Sequence, residues 1–569
     1  MSSAIAVRAE SPKSEFQKVS DEYFDQVYFP NQPTSATVAG YHQYDTKLED
    51  FSQTRINAEV LSLNHFADRV SAIPAASLDQ TTRGDRQMML GEIHSRLLNL
   101  QTIRPWAKDA DNYSSTCANA AFTLMERKFA PADDRLRSLI AREKQMPGLI
   151  DEAHRNLQNP PRIFTEIAIE QLPDIISFFQ RDVPAAFTDA QDAALKSEFA
   201  QTNAAVIAAL NDYLAWLKTD LLPRSNGDFR LGADTFSKKL QYDEMVDVPL
   251  PKLLEIGYAD MRQNQKHFAE VAHELEPNKT PREVLEELGS QHPAPDQLIP
   301  AFTATFTSLL DFIRSHHIVT IPSDVRPVVE ETPPFMRATT QASMDSPGPF
   351  ETHATTSYFN VTLPDPSMTP AQVEGYMHSF NIGTVISTSV HEAYPGHYTQ
   401  YLYSSRFPSR VRKILSANTN VEGWAHYTEQ MMLDNGYGQP GTGAKDERES
   451  RFFRLGQLQD ALLRNARFIV GIQMHTGDMS YEQAVDFFQK EGYQPKETAE
   501  VEAKRGAGDP TYLYYTLGKL EIMKLRADLM KKQGAAFSLE KFHDQFLSQG
   551  FPPIKIVREA MLGDDSPAL

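Results

Sequence analysis

The sequence predicts a mainly α-helical fold with one small β element placed just before a helix that carries a His-Glu pair. Two observations predict it. Apolar residues recur at three- and four-residue steps through long stretches, the spacing that lines one face of a helix. The stretch from Ile321 to Pro370 breaks that pattern with repeated prolines and a segment rich in β-branched and aromatic residues.

From Leu136 the apolar positions Leu136, Ile140, Met146, Leu149, Ile150, Ala153 and Leu157 follow the helical period. Pro147 divides this run, because a proline inside a helix removes a backbone donor and clashes with the preceding turn. Three later segments repeat the pattern: NAAVIAALNDYLAWLKTDLL, PLPKLLEIGYADMRQNQKHFAEVAHEL and RFFRLGQLQDALLRNARFIVGIQMH. Within the proline-rich stretch, TTSYFNVTL favours a short strand. Tyr358 to Val361 read equally as a core strand or as an edge strand able to pair with an extended peptide. The loop DNGYGQPGTGAKDER separates later helices. The expected organisation is an N-terminal helical half, residues 1–320, and a C-terminal half, residues 321–569, that holds the chemistry, with one continuous domain as the alternative.

With 569 residues, 41% hydrophobic and 23% charged, the chain can bury a large core, and 32 Phe, 21 Tyr and 3 Trp can fill it. The formal net charge of −19 argues against a nucleic-acid partner, because phosphate binding needs clustered Lys and Arg. Cys117 is the single cysteine, which excludes an intramolecular disulfide and a thiolate metal cluster. Any metal must be held by His and carboxylates. The N-terminal MSSAIAVRAESPKSEF lacks the apolar core of a secretory signal, and no stretch approaches the roughly 20 apolar residues of a membrane span. The expectation is a soluble, cytoplasmic chain with no membrane partner.

The chemistry centres on VHEAYPGHYTQ, Val390 to Gln400. Metallopeptidase helices usually place a second His four residues after the first, about 40° around the axis, whereas the six-residue step from His391 to His397 turns about 240°. An uninterrupted helix cannot aim both at one ion. Pro395 and Gly396 resolve the difficulty, since a local bulge there absorbs the two extra residues. Catalytic zinc takes three protein ligands and keeps one position for water. The downstream VEGWAHYTEQMM offers Glu422 and Glu429 on one helix, and Glu422 shares a face with His426, so that one ligates while the other contacts substrate or supports a ligand. Glu392 is the natural general base, adjacent to the metal without ligating it.

HEAYPGHYTQ followed by EGWAHYTEQ resembles the family catalogued as domain of unknown function 885, whose members carry HEaxPGH and EGWaxYxE patterns and are similar to mainly helical, zinc-dependent peptidases. The resemblance spans most of the chain, with weaker echoes in GYHQYDTKLED, PPRIFTEIAIEQ, MHTGDMSYEQAVDFF and YYTLGKLEIMKLR. Carried over by position, it implies a zinc ion held by His391, His397 and Glu422, with Glu392 as base. The arrangement is also similar to the gluzincin group, in which two His from a HExxH helix and a later Glu bind zinc. Tyr515 matches a family tyrosine and is expected to steady the developing oxyanion, with Tyr514 as fallback. A helical fold of this kind implies a deep cleft that admits short peptides and excludes folded chains. His426 stands where the family more often has an aliphatic residue and is read as a substrate contact. GIQMH replaces an Asp-containing version. Arg505 and Lys519 are candidates for holding a substrate carboxylate. His42 is assigned a capping or buried structural role, and Trp424 a packing role that fixes the ligand helix.

These readings converge on a zinc metallopeptidase that hydrolyses amide bonds of short peptides through a metal-activated water. The alternatives are a zinc-dependent hydrolase or lyase of a small non-peptide metabolite, and a catalytically silent helical binding protein. The intact His-Glu pair and both presumed His ligands argue against the last.

Overall fold

The computed structural model describes residues 11–333, 337, 340–477 and 479–569. Asp478, within MHTGDMSYEQAVDFF, lies outside them, as do residues 1–10 of the segment used to judge a secretory signal.

The periodic segments are helical. The run starting at Leu136 forms two helices, Ala132–Glu143 and Met146–Asn156. Pro147 sits in the first turn of the second, where a missing N–H forfeits no helical bond. The segments Leu250–Leu275 and Glu447–Thr476 form two long helices that pack along each other.

The β element is a three-stranded sheet of β1 (Val328–Glu331), β2 (Ala342–Asp345) and β3 (Tyr358–Val361), in the order β1-β3-β2. β3 runs parallel to β1, with Val328 opposite Tyr358, and antiparallel to β2, with Met344 opposite Phe359. Both of its edges are paired. Tyr358–Val361 is therefore the central strand, and the edge-strand reading falls. Its Phe359 is buried against Phe302 and Phe306 of the helix Leu298–Ser315. The edge toward the His391 helix belongs to β2.

Several apolar cores draw residues from both sides of residue 320. Met261 and Phe268 share a core with Leu455, Leu462 and Ile469. Phe302 and Phe306 share another with Tyr394, Tyr398 and Trp424. Even the N-terminal aromatics Phe16, Tyr23 and Phe29 pack with Val411, Leu415 and Ile556. The His391 and Glu422 helices are thereby held by apolar residues from both sides of residue 320.

Candidate metal centre

The His391 helix, Ile382–Glu392, starts at Asn381, whose side-chain oxygen accepts the N–H groups of Gly383 and Thr384 at 3.0 Å each. It stops at Glu392. The chain turns through Ala393 to Gly396, with a cis Tyr394–Pro395 peptide, and a second short helix begins at His397. The expected bulge within one helix is thus a full interruption between two. A Cβ on Gly396 would lie 1.7 Å from the carbonyl oxygen of His391, so the backbone can double back on the His391 turn only with glycine at this position. The indole N–H of Trp424, itself fully buried and stacked on Phe546, donates to the Pro395 carbonyl at 2.9 Å and ties the interruption to the next helix.

That helix, Asn418–Asp434, is capped from a distant part of the chain. The Glu244 carboxylate accepts the N–H groups of Asn418 and Thr419 at 3.1 and 2.9 Å and the Thr419 hydroxyl at 2.6 Å. At Gly423 it crosses the helix Tyr514–Gln533 at Gly518, closely enough that a Cβ on Gly423 would stand 2.5 Å from the Gly518 Cα. Two glycines at this crossing bring Glu422 and Tyr515 to one recess.

There His391, His397 and Glu422 converge. Glu422 Oε2 lies 3.5 Å from His391 Nε2 and 3.4 Å from His397 Nε2, and the two imidazoles stand nearly perpendicular at 89°. Donors about 2.0–2.1 Å from a tetrahedral zinc are about 3.3–3.4 Å apart, so these two separations suit that ion. Glu429, one of the two candidate ligands on this helix, instead takes the far side of His391. Its carboxylate accepts from His391 Nδ1 at 2.7 Å and His426 Nδ1 at 3.1 Å, and pairs with Arg464 Nη2 at 3.1 Å. The bond at Nδ1 fixes the tautomer and leaves the Nε2 lone pair facing Glu422 and His397. Burial disfavours a charge on His391, yet Glu422 and Glu429 on its two nitrogens raise its pKa to about 9. The same two carboxylates would also favour a metal cation in the recess. Two imidazoles and a carboxylate, backed by a second carboxylate, fit zinc.

Glu392 is half-buried beside this group. Burial raises its carboxyl above the usual range, against the lowering pull of His397 and His391. Tyr515 also borders the recess, its ring centroid 6.5 Å from that of His391. The guanidinium groups of Arg464, Arg467 and Arg505 stand 5.5, 5.1 and 5.9 Å from the Tyr515 ring centre. Arg467 is held in a bidentate pair with Glu502 at 2.6 and 2.7 Å, whereas the half-buried Arg505 reaches Tyr515 Oη at 3.4 Å and Tyr514 Oη at 3.5 Å. The Tyr514 hydroxyl itself donates to Asp509 at 2.9 Å.

Several expected roles change. His426 is fully enclosed and meets Glu429, and burial pushes its pKa down to about 4, so it is a neutral group behind the ligands and no substrate contact. Lys519, equally enclosed, pairs with Asp260 at 3.2 Å and is not free for a substrate carboxylate. His475 of GIQMH donates its Nε2–H to the Gly506 carbonyl at 2.8 Å and so anchors the helix that carries Arg505. His42 bridges Asp45 and Glu351 at 3.0 Å each and stacks on Phe129, a structural place remote from the recess. Sequence reasoning missed Glu244 and Arg464, which carry no local signal because each acts on a helix far away along the chain.

The fold has solved relatives. One is described as a "putative lipoprotein of unknown function" from Shewanella oneidensis, with 26% sequence identity and a TM-score of 0.80, covering 96% of this chain and 99% of its own. Another, described as a "putative lipoprotein" from Colwellia psychrerythraea, has 18% identity and a TM-score of 0.78, covering 97% of this chain and 98% of its own. No curated protein matches the chain. Both descriptions contradict the cytoplasmic expectation, which is withdrawn. Among the described residues no helix is long and apolar enough to cross a membrane. Residues 33–561, which include both signature motifs and every residue of the recess, match the family described as "Bacterial protein of unknown function (DUF885)", and the chain belongs to that family.

Proposed function

We propose that this protein is a zinc-dependent metallopeptidase, gluzincin-like in its donor set, that hydrolyses amide bonds of short peptides. The observation that carries the reading is the convergence of His391, His397 and Glu422 with the Glu392 carboxylate alongside and Tyr515 bordering the recess. Zinc bound by the three ligands would supply Lewis acidity at the scissile carbonyl. Glu392 takes the proton of the attacking water as its oxygen adds to the carbonyl carbon, and delivers that proton to the leaving amine nitrogen as the C–N bond breaks. The Tyr515 hydroxyl donates to the oxygen that gains charge. β2, the edge strand that packs toward the His391 helix, takes the part first foreseen for Tyr358–Val361 and offers its edge to an extended substrate. Arg505, partly exposed beside both tyrosines, is placed to meet a substrate carboxylate. The lipoprotein descriptions of the solved relatives favour peptides met outside the cytoplasm.

The test is turnover of a defined mixture of short peptides by the zinc-loaded full chain and by Glu392→Gln, with zinc content measured on the same preparations. Equal zinc with a loss of at least about 10²–10⁴-fold in rate is expected. Full turnover by the variant removes Glu392 from the reaction. No peptide cleavage beside hydrolysis of small amides replaces the peptidase reading with the metabolite reading, and no hydrolysis of either leaves the binding protein.

A further inference from the structure

Outside the recess, a second group of side chains has the same donor set. His292, Glu374 and His378 bring two imidazole Nε2 atoms and one carboxylate oxygen together: Glu374 Oε1 lies 3.3 Å from His292 Nε2 and 3.5 Å from His378 Nε2. These edges nearly repeat the 3.4 and 3.5 Å of the His397, His391 and Glu422 group.

The local structure presents these atoms and does not merely leave them nearby. His292 Nδ1 is 2.9 Å from the carbonyl of Pro293, which accepts its N–H and so fixes the tautomer whose Nε2 lone pair faces Glu374. That bond does for His292 what Glu429 does for His391. His378 follows Glu374 by one helical turn, in the short helical turn His378–Phe380 after the helix Pro370–Met377. Its ring packs its Nδ1 edge over Gly289, where a Cβ would come within 2.9 Å of that nitrogen, and this turns Nε2 outward to the carboxylate. Glu374 is exposed and His378 half-buried, with side-chain accessibilities of 61% and 41%, while His292 is largely covered at 11%. A cation entering here keeps open positions for water.

We propose that His292, Glu374 and His378 form a second zinc site. Imidazole with a carboxylate suits a borderline divalent ion such as zinc better than calcium or magnesium, which seek oxygen donors. The site joins two segments at the start of the catalytic helix. Gln291, the neighbour of His292, accepts the Ile382 N–H at 2.8 Å, and His378 stands three residues before the Asn381 cap. An ion shared by His292 and His378 would therefore clamp the end of that helix opposite His391.

Zinc alone is the probe. At micromolar free zinc the full chain should hold two ions after equilibrium dialysis, while His292→Ala, Glu374→Gln and His397→Ala should each hold one. In the His397→Ala background, zinc should still raise the unfolding temperature, and adding His378→Ala should abolish that rise. Unchanged zinc content in both His292→Ala and Glu374→Gln, or an unfolding temperature that responds to zinc equally with and without His378, overturns the proposal. The recess is judged separately, by the ion lost in His397→Ala.

Discussion

Glu429→Gln tests how far the recess depends on a residue that does not touch the ion. The wild-type carboxylate is fully enclosed and receives three partners: His391 Nδ1 at 2.7 Å, His426 Nδ1 at 3.1 Å and Arg464 Nη2 at 3.1 Å. Glutamine keeps the shape but only one acceptor oxygen, and its amide N–H groups must face at least one of those donors. Losing the carboxylate behind a ligating His typically weakens metal binding by about 10–100-fold, or about 1.4–2.7 kcal/mol. Arg464 also loses its nearest counter-charge and retains Asp460 at 3.9 Å. Removing one partner of a buried pair costs roughly 3–5 kcal/mol, and the surviving Asp460 contact places the expected loss toward the lower figure. Burial opposes the charge on Glu429, but Arg464 and His426 hold its carboxyl well below the usual range. A depressed folded pKa gives stability that is present above the unfolded value of about 4.3 and is lost as pH falls below it, so the variant should show a weaker acid destabilisation than the wild type. Competition with a zinc chelator and urea unfolding at neutral and acid pH measure both effects. Zinc affinity within threefold of wild type would refute the second-layer role. An affinity loss larger than that of Glu422→Gln would make Glu429 the ligand.

Two further outcomes follow from the packing. Gly396→Ala should lose zinc and activity together, because its Cβ meets the His391 carbonyl oxygen at 1.7 Å and must displace the ligand turn; normal zinc content in a folded variant would contradict the close approach. Glu521 is enclosed, and burial, with Glu244 adding to it, raises its carboxyl well above the usual range. A raised folded pKa gives stability that is full below the unfolded value and falls as pH rises, at about 1.4 kcal/mol per pH unit while one proton separates the states. Glu521→Gln should therefore gain in unfolding temperature relative to wild type at pH 9 more than at pH 5, and equal shifts at both would show that Glu521 is ionised in the fold.

The features read correctly from sequence were those set by local rules. Leu136 to Leu157 gave two helices because the period and Pro147 act within a few residues. The six-residue step from His391 to His397 required a break, and Pro395-Gly396 supplied one. What sequence left open was decided by contacts made far along the chain. Glu422 and Glu429 lie two turns apart on one face, and only the Gly423–Gly518 crossing and the Glu244 cap set which of them meets His397. Tyr358–Val361 carries strand propensity, but propensity does not reveal strand order, so the central position of β3 and the edge position of β2 could not be read. His426 and Lys519 look like functional polar residues in sequence. Both are enclosed groups whose partners, Glu429 and Asp260, make burial tolerable.

The charges around the recess form a pattern that bears on the ion. Three enclosed carboxylates in the surrounding layer have their own cations: Glu429 has Arg464, Asp260 has Lys519, and Glu502 has Arg467. Among the described residues, Glu422 and Glu392 have no Lys or Arg within ion-pair distance. In the proposed ion-bound state His391 and His397 are neutral and add no charge, which would leave the Glu422 and Glu392 charges without another partner where the three donor atoms meet. A divalent cation balances them, which lowers the cost of keeping Glu392 ionised and ready to accept a proton despite its partial burial. Arg464 and Arg467 stand within 6 Å of the Tyr515 ring centre, but each is paired, with Glu429 and Glu502, which limits their repulsion of the proposed ion. Arg505 is the exception. Its nearest carboxylate, Asp509, is 3.6 Å away and shared with the Tyr514 hydroxyl, so it keeps the most positive charge to offer an incoming substrate.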